Sequence, residues 1–276
     1  GVQIGTAAAA GQVLVFNGDV QNISRTASVA VSQASPGILG STAEENDRFG
    51  LALAAGDFDG DGKSDLAIGV PREDFGSVIN VGIVHVLYGT SSVAAGLSLN
   101  RNQFFLASTL GETDEGGAQF GKTLAAGDFN GDGKADLAIG VPLKDVAGVS
   151  DAGQVHVIYG SGSGLSTFLT RSPQIWRQTT SGVGLTAEAG DRFGSSLTAW
   201  NFGHTAELGV ARPATADLAI GIPFKDVGTH SDAGAVLVLY GCFTCNGLIA
   251  GFNQLWTQVP LPGGPEKDDH FGSALY

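Results

Sequence analysis

The chain has 276 residues, 43% of them hydrophobic, enough to bury a sizeable core. Its 14 basic and 27 acidic side chains leave a net charge of −13, which speaks against a nucleic-acid surface and against docking on anionic lipid. No apolar run reaches the length of a membrane-spanning helix, so no membrane insertion is expected.

Methionine is absent, even at position 1, and the chain reads as a mature or excised segment. From the N-terminus, Gly1-Val2-Gln3 echoes the end of a strand that recurs later, and Gly11-Gln-Val-Leu-Val-Phe-Asn-Gly18 reads as a strand of its own. Asn22-Ile23-Ser24 is a sequon, which makes Asn22 a candidate N-glycosylation site in a secreted chain.

Phe49 to Pro71, FGLALAAGDFDGDGKSDLAIGVP, sets the pattern for the rest. It returns as Phe120 to Pro142, in worn form as Phe193 to Pro223, and as a fragment from Phe271, at intervals of 71, 73 and 78 residues. A third strand follows in register each time, beginning at Gly82, Gly153 and Gly234. A fourth, less regular segment is marked by Gln103-Phe-Phe, Gln174-Ile-Trp and Gln254-Leu-Trp.

β-branched and aromatic runs too short for helices, punctuated by Gly, Asp, Ser and Pro, make each unit four strands. The first two strands are near-continuously apolar or small and are expected to be buried on both faces; the third alternates more, and the fourth carries the tryptophans. The expected fold is all-β: a β-propeller-like array of four-stranded antiparallel blades forming one domain over 1–276. It holds three complete repeats (49–119, 120–192 and 193–270) and a fourth split between 1–48 and 271–276.

The loop between first and second strands carries the chemistry. Asp57, Asp59, Asp61 and Asp65 surround Gly62, and Asp128, Asn130, Asp132 and Asp136 surround Gly133. Oxygen side chains at positions 1, 3 and 5, a glycine at 6 and a closing carboxylate at 9 suit the oxygen cage of Ca²⁺. The backbone carbonyl at position 7, Lys63 or Lys134, would complete each cage. Several carboxylates this close repel one another without a counter-charge, so the ion is expected to be structural. In the third repeat the equivalent stretch is Asn201-Phe-Gly, an insertion through Arg212 and Pro213, and then Asp217. Two early carboxylates are lost and this third site is expected to be empty of Ca²⁺.

Cys242 and Cys245 form a CxxC, which fits half a zinc site, a redox pair or a local disulfide; the lack of further ligands and of a βαβ context favours the disulfide. His85 and His156 occupy the same strand position in two repeats and read as one structural choice made twice. Asp47, Asp191 and Asp269 precede three of the Phe-Gly strands and are expected in solvated loops, with Arg48 and Arg192 available to pair with them. No nucleophile elbow, zinc-protease or phosphate-loop pattern appears, so the chain reads as non-catalytic.

The Phe-Gly strand, the DxDxDG loop and the Gly-Val-Pro strand resemble the FG-GAP repeat of integrin α-subunit β-propellers. The resemblance covers nearly the whole chain and is sharpest from Phe49 and Phe120. It implies Ca²⁺ bound by the matching loop residues, other loops facing partners, and an extracellular or cell-surface setting. The expected function is a scaffold or adhesion module for a protein or glycan ligand. The alternatives are self-association through exposed blade edges into a head-to-tail filament, or an accessory domain of a secreted hydrolase.

Overall fold

A computed structural model of the chain describes residues 2–16, 29–40, 42–91, 96–167, 172–203, 215–245 and 247–275. Asn22 of the sequon, with Arg212 and Pro213 of the third-repeat insertion, lies outside the described residues. The chain divides into two compact units: residues 1–57 with 61–122, and residues 58–60 with 123–276.

In the first unit, β1 (Val13–Val15) pairs antiparallel with β2 (Val29–Val31). The following sheet runs β3 (Ala52–Gly56), β4 (Asp65–Val70), β5 (Ile83–Gly89) and β6 (Leu97–Phe105), all antiparallel neighbours in sequence order. Short strands joined by tight turns can pair only with the next strand along, which produces this meander.

The second unit repeats it twice. β7 (Thr123–Gly127), β8 (Asp136–Val141) and β9 (Gln154–Ser161) pair in order, and the fourth position is divided between β10 (Gly164–Ser166) and β11 (Gln174–Trp176), both on β9. The last sheet is β12 (Ser196–Trp200), β13 (Asp217–Ile222), β14 (Ala235–Cys242) and β15 (Gly247–Trp256). These are antiparallel, propeller-type blades.

Burial departs from expectation in one respect. The second and third strands are the enclosed ones: every residue of β5, β8 and β13 is buried. The first strand is not, and in β3 Leu53 is 49% exposed. It is the edge of its sheet, with a partner on one side only, so its small apolar residues mark a thin strand and not an enclosed one. Each third strand is enclosed over most of its length, with only the last two residues of β9 and of β14 partly exposed, in spite of its more alternating sequence.

A recurrent contact ties each Phe-Gly segment to the strand before it. The Phe49, Phe120, Phe193 and Phe271 amides donate to the carbonyls of Ala10, Val81, Ala152 and Ala233 at 2.7 to 2.9 Å. The glycine that opens each third strand stands against this crossing: a Cβ on Gly82 would lie 2.3 Å from the Phe120 carbonyl oxygen, and one on Gly153 2.4 Å from that of Phe193. Both glycines also hold φ near +80°, where side chains are disfavoured. With the glycines admitting the backbone, Phe49, Phe120 and Phe193 are buried to within 3% of complete.

Candidate metal-binding loops and the blade junctions

The first aspartate loop leaves β3 at Gly56 and re-enters the sheet at Asp65, two residues that face each other across the β3–β4 pair. Asp57 folds the loop around itself: its carboxylate accepts from the Asp61 amide at 3.0 Å and the Gly62 amide at 2.8 Å. The result gathers Asp57, Asp59 and Asp61, each offering an oxygen within 4.8 Å of the others. Asp59 is buried and Asp61 exposed, so the cluster opens towards solvent on one side.

The second loop has the same construction. Asp128 accepts from Gly131, Asp132 and Gly133, and the Asn130 side-chain Oδ1 accepts from the Asp132 amide at 2.9 Å. Asn130 and Asp136 are fully buried.

The lysine ammonium groups turn back along the loop: Lys63 Nζ reaches Asp61 at 2.6 Å and Lys134 Nζ reaches Asp132 at 3.9 Å. The contact holds the Asp61 carboxyl below the ordinary carboxylate range. A lysine ammonium on an exposed carboxylate is a weak counter-charge.

The closing aspartates are anchors of the sheet. Asp65 accepts from the Gly89 amide at 2.7 Å, Asp136 from Gly160 at 2.9 Å and Asp217 from Gly241 at 3.0 Å. The second oxygens of Asp136 and Asp217 accept from the Phe129 and Phe202 amides. Burial pushes the Asp136 carboxyl up to about 8, with repulsion from Asp128 and Asp132 added and the amides of Gly160 and Phe129 pulling the other way. Asp217 keeps this role where the loop has lost its early carboxylates. Asn201 there accepts from the nearby Gly203 amide.

His85 and His156 are fully buried in the middle strand of their sheets. The His85 ring lies 5.7 Å from that of Phe49, and His156 Nε2 is 2.8 Å from the Gln154 side-chain Nε2. Burial lowers them to about 4 and about 3, so both are neutral at physiological pH. Cys242 and Cys245 form a disulfide at the end of β14.

Of the acids before the Phe-Gly strands, Asp269 is exposed as expected, but the other two do not sit in solvated loops. Asp47 and Asp191 are each 1% exposed. Each accepts from an amide three residues earlier, Glu44 at 2.5 Å and Glu188 at 2.7 Å, which fixes the turn into the strand. Asp191 takes a second bond from Gln178 Nε2 at 2.9 Å, and the Lys225 ammonium bridges it to Glu188. Arg192 does not carry the expected pairing; its guanidinium lies over the Phe224 ring at 4.5 Å. In the first unit, Gln33 stands for Gln178, Asp47 for Asp191 and Glu73 for Lys225, and Gln33 Nε2 donates to Glu73. Sequence reasoning missed this junction, because its members are single polar residues tens of positions apart.

Comparison with known proteins agrees with the repeat pattern. The FG-GAP repeat profile matches residues 49–87 and 120–158. Integrin alpha-8 of Gallus gallus is 29% identical over 236 residues, 83% of this chain and 19% of that protein. Integrin alpha-PS2 of Drosophila melanogaster is 27% identical over 232 residues, 82% of this chain and 14% of that protein. Phosphatidylinositol-glycan-specific phospholipase D of Bos taurus is 30% identical over 196 residues, 70% of this chain and 20% of that protein. The chain thus spans a fifth or less of the length of these relatives. The matched segments are the two in which the Phe-Gly strand, the aspartate loop and the Gly-Val-Pro strand are all intact, and the chain is an FG-GAP repeat protein resembling the integrin α subunit.

Proposed function

We propose that the chain is a non-catalytic adhesion or scaffold module, working outside the cell or at its surface, whose blades are braced by Ca²⁺ in two aspartate loops. The observation that carries this reading is the convergence of Asp57, Asp59 and Asp61 within 4.8 Å in a loop whose fold is duplicated around Asp128, Asn130 and Asp132. Oxygen-only donors, some buried and some open to water, match a hard cation that keeps part of its hydration. Bound Ca²⁺ would offset the repulsion within each loop and keep Asp136 ionised in its buried position. A cation that binds only the folded loops stabilises by about 2.7 kcal/mol per site at a hundredfold excess over Kd.

The ligand in this reading is a protein or glycan engaged by surface loops, by analogy with the integrin relatives. Titrating Ca²⁺ into chelator-treated protein, followed by calorimetry, tests the bracing. Two sites and a raised melting temperature are expected; an unchanged melting temperature with and without chelator would sink it.

A second reading is self-association, up to a head-to-tail filament. One observation favours it. Phe105, Trp176 and Trp256 occupy equivalent positions opposite Val84, Val155 and Val236, yet the first two are 5% and 6% exposed and Trp256 is 50% exposed. Sedimentation of the wild type and of Trp256→Ser distinguishes the readings, since a monomer at all concentrations removes this one. The likeness to the phospholipase leaves a third place for the module, as a companion domain of a hydrolase.

A further inference from the structure

We infer that Asp47 and Glu73 form a carboxyl–carboxylate pair that holds one proton, and that this proton replaces the lysine ammonium used at the same junction of the third repeat. The correspondence is residue by residue. Gln33 matches Gln178, Glu44 matches Glu188, Asp47 matches Asp191 and Glu73 matches Lys225, and the amide of Glu44 caps Asp47 as that of Glu188 caps Asp191. In the third repeat the two acids share the Lys225 ammonium. In the first, a third carboxyl stands where the cation would be.

The geometry forces the two acids together. Gln33 Nε2 donates to Glu73 and also serves Asp47, so both carboxyls converge on one buried amide. Gln33, Asp47 and Glu73 are 4%, 1% and 2% exposed, leaving little water to screen them. The Gln33 side-chain oxygen has no hydrogen-bond partner among the described residues. The groups that act on Glu73 from the surrounding elements are Asp47 and Glu44 of the preceding turn, Asp74 of its own turn and the neutral Gln33. Every charged one is acidic. Two carboxylates so placed do not ionise together, and the titration belongs to the pair. Burial in this setting pushes Glu73 up to about 9, with Asp47 the next contributor, and raises Asp47 as well.

The direction of the pH effect follows. Between the ordinary glutamate range and pH 9 the folded chain holds a proton that the unfolded chain has released. Stability from this junction therefore declines as pH rises through that window, by up to about tenfold in the unfolding constant per pH unit.

The test uses urea unfolding of the full chain in calcium-saturated buffer from pH 5 to 10. Glu73→Gln, which keeps a neutral hydrogen-bonding group, should flatten the decline. Glu73→Lys, which restores the cation, should exceed the wild type in stability at pH 8. Parallel profiles for wild type and Glu73→Gln would overturn the proposal. Should the variants not fold, infrared spectroscopy of the wild type decides. A protonated-carboxyl C=O band that persists at pH 7 and fades towards pH 9 supports it. Absence of that band at pH 7, or its loss on adding Na⁺ or K⁺ at constant pH, overturns it in favour of an ionised pair or a bound cation.

Discussion

The Gly241 amide donates to the Asp217 carboxylate at 3.0 Å, in the repeat whose aspartate loop has lost its early carboxylates. The same bond joins Gly89 to Asp65 and Gly160 to Asp136. The closing aspartate thus has a duty independent of any cation. Asp217→Ala strands two backbone amides, Gly241 and Phe202, and is expected to cost about 2–4 kcal/mol. The loss should be the same with and without Ca²⁺, which denaturant titration in both conditions checks. Asp57→Ala loses both the Asp61 and Gly62 amide bonds and a proposed ligand, so its deficit should be larger when Ca²⁺ is present than when it is absent.

Gly153 and Gly148 separate backbone strain from crowding. Their φ angles are +81° and +84°, so alanine suffers the same conformational penalty at either. Only Gly153 has the Phe193 carbonyl oxygen 2.4 Å from the position of a Cβ; around Gly148 there is open space. Gly148→Ala is expected to cost about 1 kcal/mol. Gly153→Ala is expected to cost about 3 kcal/mol or more, since the crossing Phe-Gly backbone must shift. Thermal unfolding of the two variants side by side measures the difference.

Lys225 is the cation of a nearly closed cluster, and its side chain is 9% exposed while that of Asp191 is 1% exposed. Lys225→Met leaves Asp191 buried without its counter-charge, for an expected loss of about 3 kcal/mol at pH 7. Burial already raises the Asp191 carboxyl, and removing the lysine raises it further. The variant should therefore recover towards the wild type as the pH is lowered and Asp191 takes up a proton. A deficit constant from pH 7 to pH 4 would contradict this.

The buried histidines act in the opposite direction from Glu73. Their folded values, about 4 for His85 and about 3 for His156, lie below the unfolded value. Unfolded chains therefore bind protons that folded ones refuse, and stability falls as pH drops below about 6.5. Each histidine contributes a slope of up to about 1.4 kcal/mol per pH unit across that window. Urea midpoints from pH 7 to pH 4 should fall less steeply in His156→Gln than in the wild type.

The repeat period, the strand order and the two loops were legible because they are written as adjacent residues and then copied. The Asp57–Asp61 loop closes through contacts four and five residues apart, which spacing alone can suggest. The exposure of β3 was not legible. Leu53-Ala54-Ala55 and Leu66-Ala67-Ile68 have the same character in composition, and only strand pairing distinguishes an edge from an interior. The Gln33–Asp47–Glu73 junction was hidden for another reason: its members are 14 and 26 residues apart along the chain, and in the second repeat Ala107 and Ala118 stand in place of the glutamine and the aspartate. The Lys63 and Lys134 ammonium groups likewise depend on side-chain folding that a motif does not specify.

The docking of each Phe-Gly segment on the strand before it puts the written repeat and the folded repeat out of phase. The motif begins at Phe120, yet Phe120, Gly121 and Lys122 belong to the same compact unit as the residues before them from 61 on, and the chain from Thr123, with residues 58–60, belongs to the other. A gene fragment cut at the motif boundary would deprive the earlier blade of its last contact and leave the later one with an overhang of three residues. Excision, duplication or transplantation of a blade should succeed when the junction is moved to follow Lys122, so that the seam in the DNA coincides with the seam in the protein.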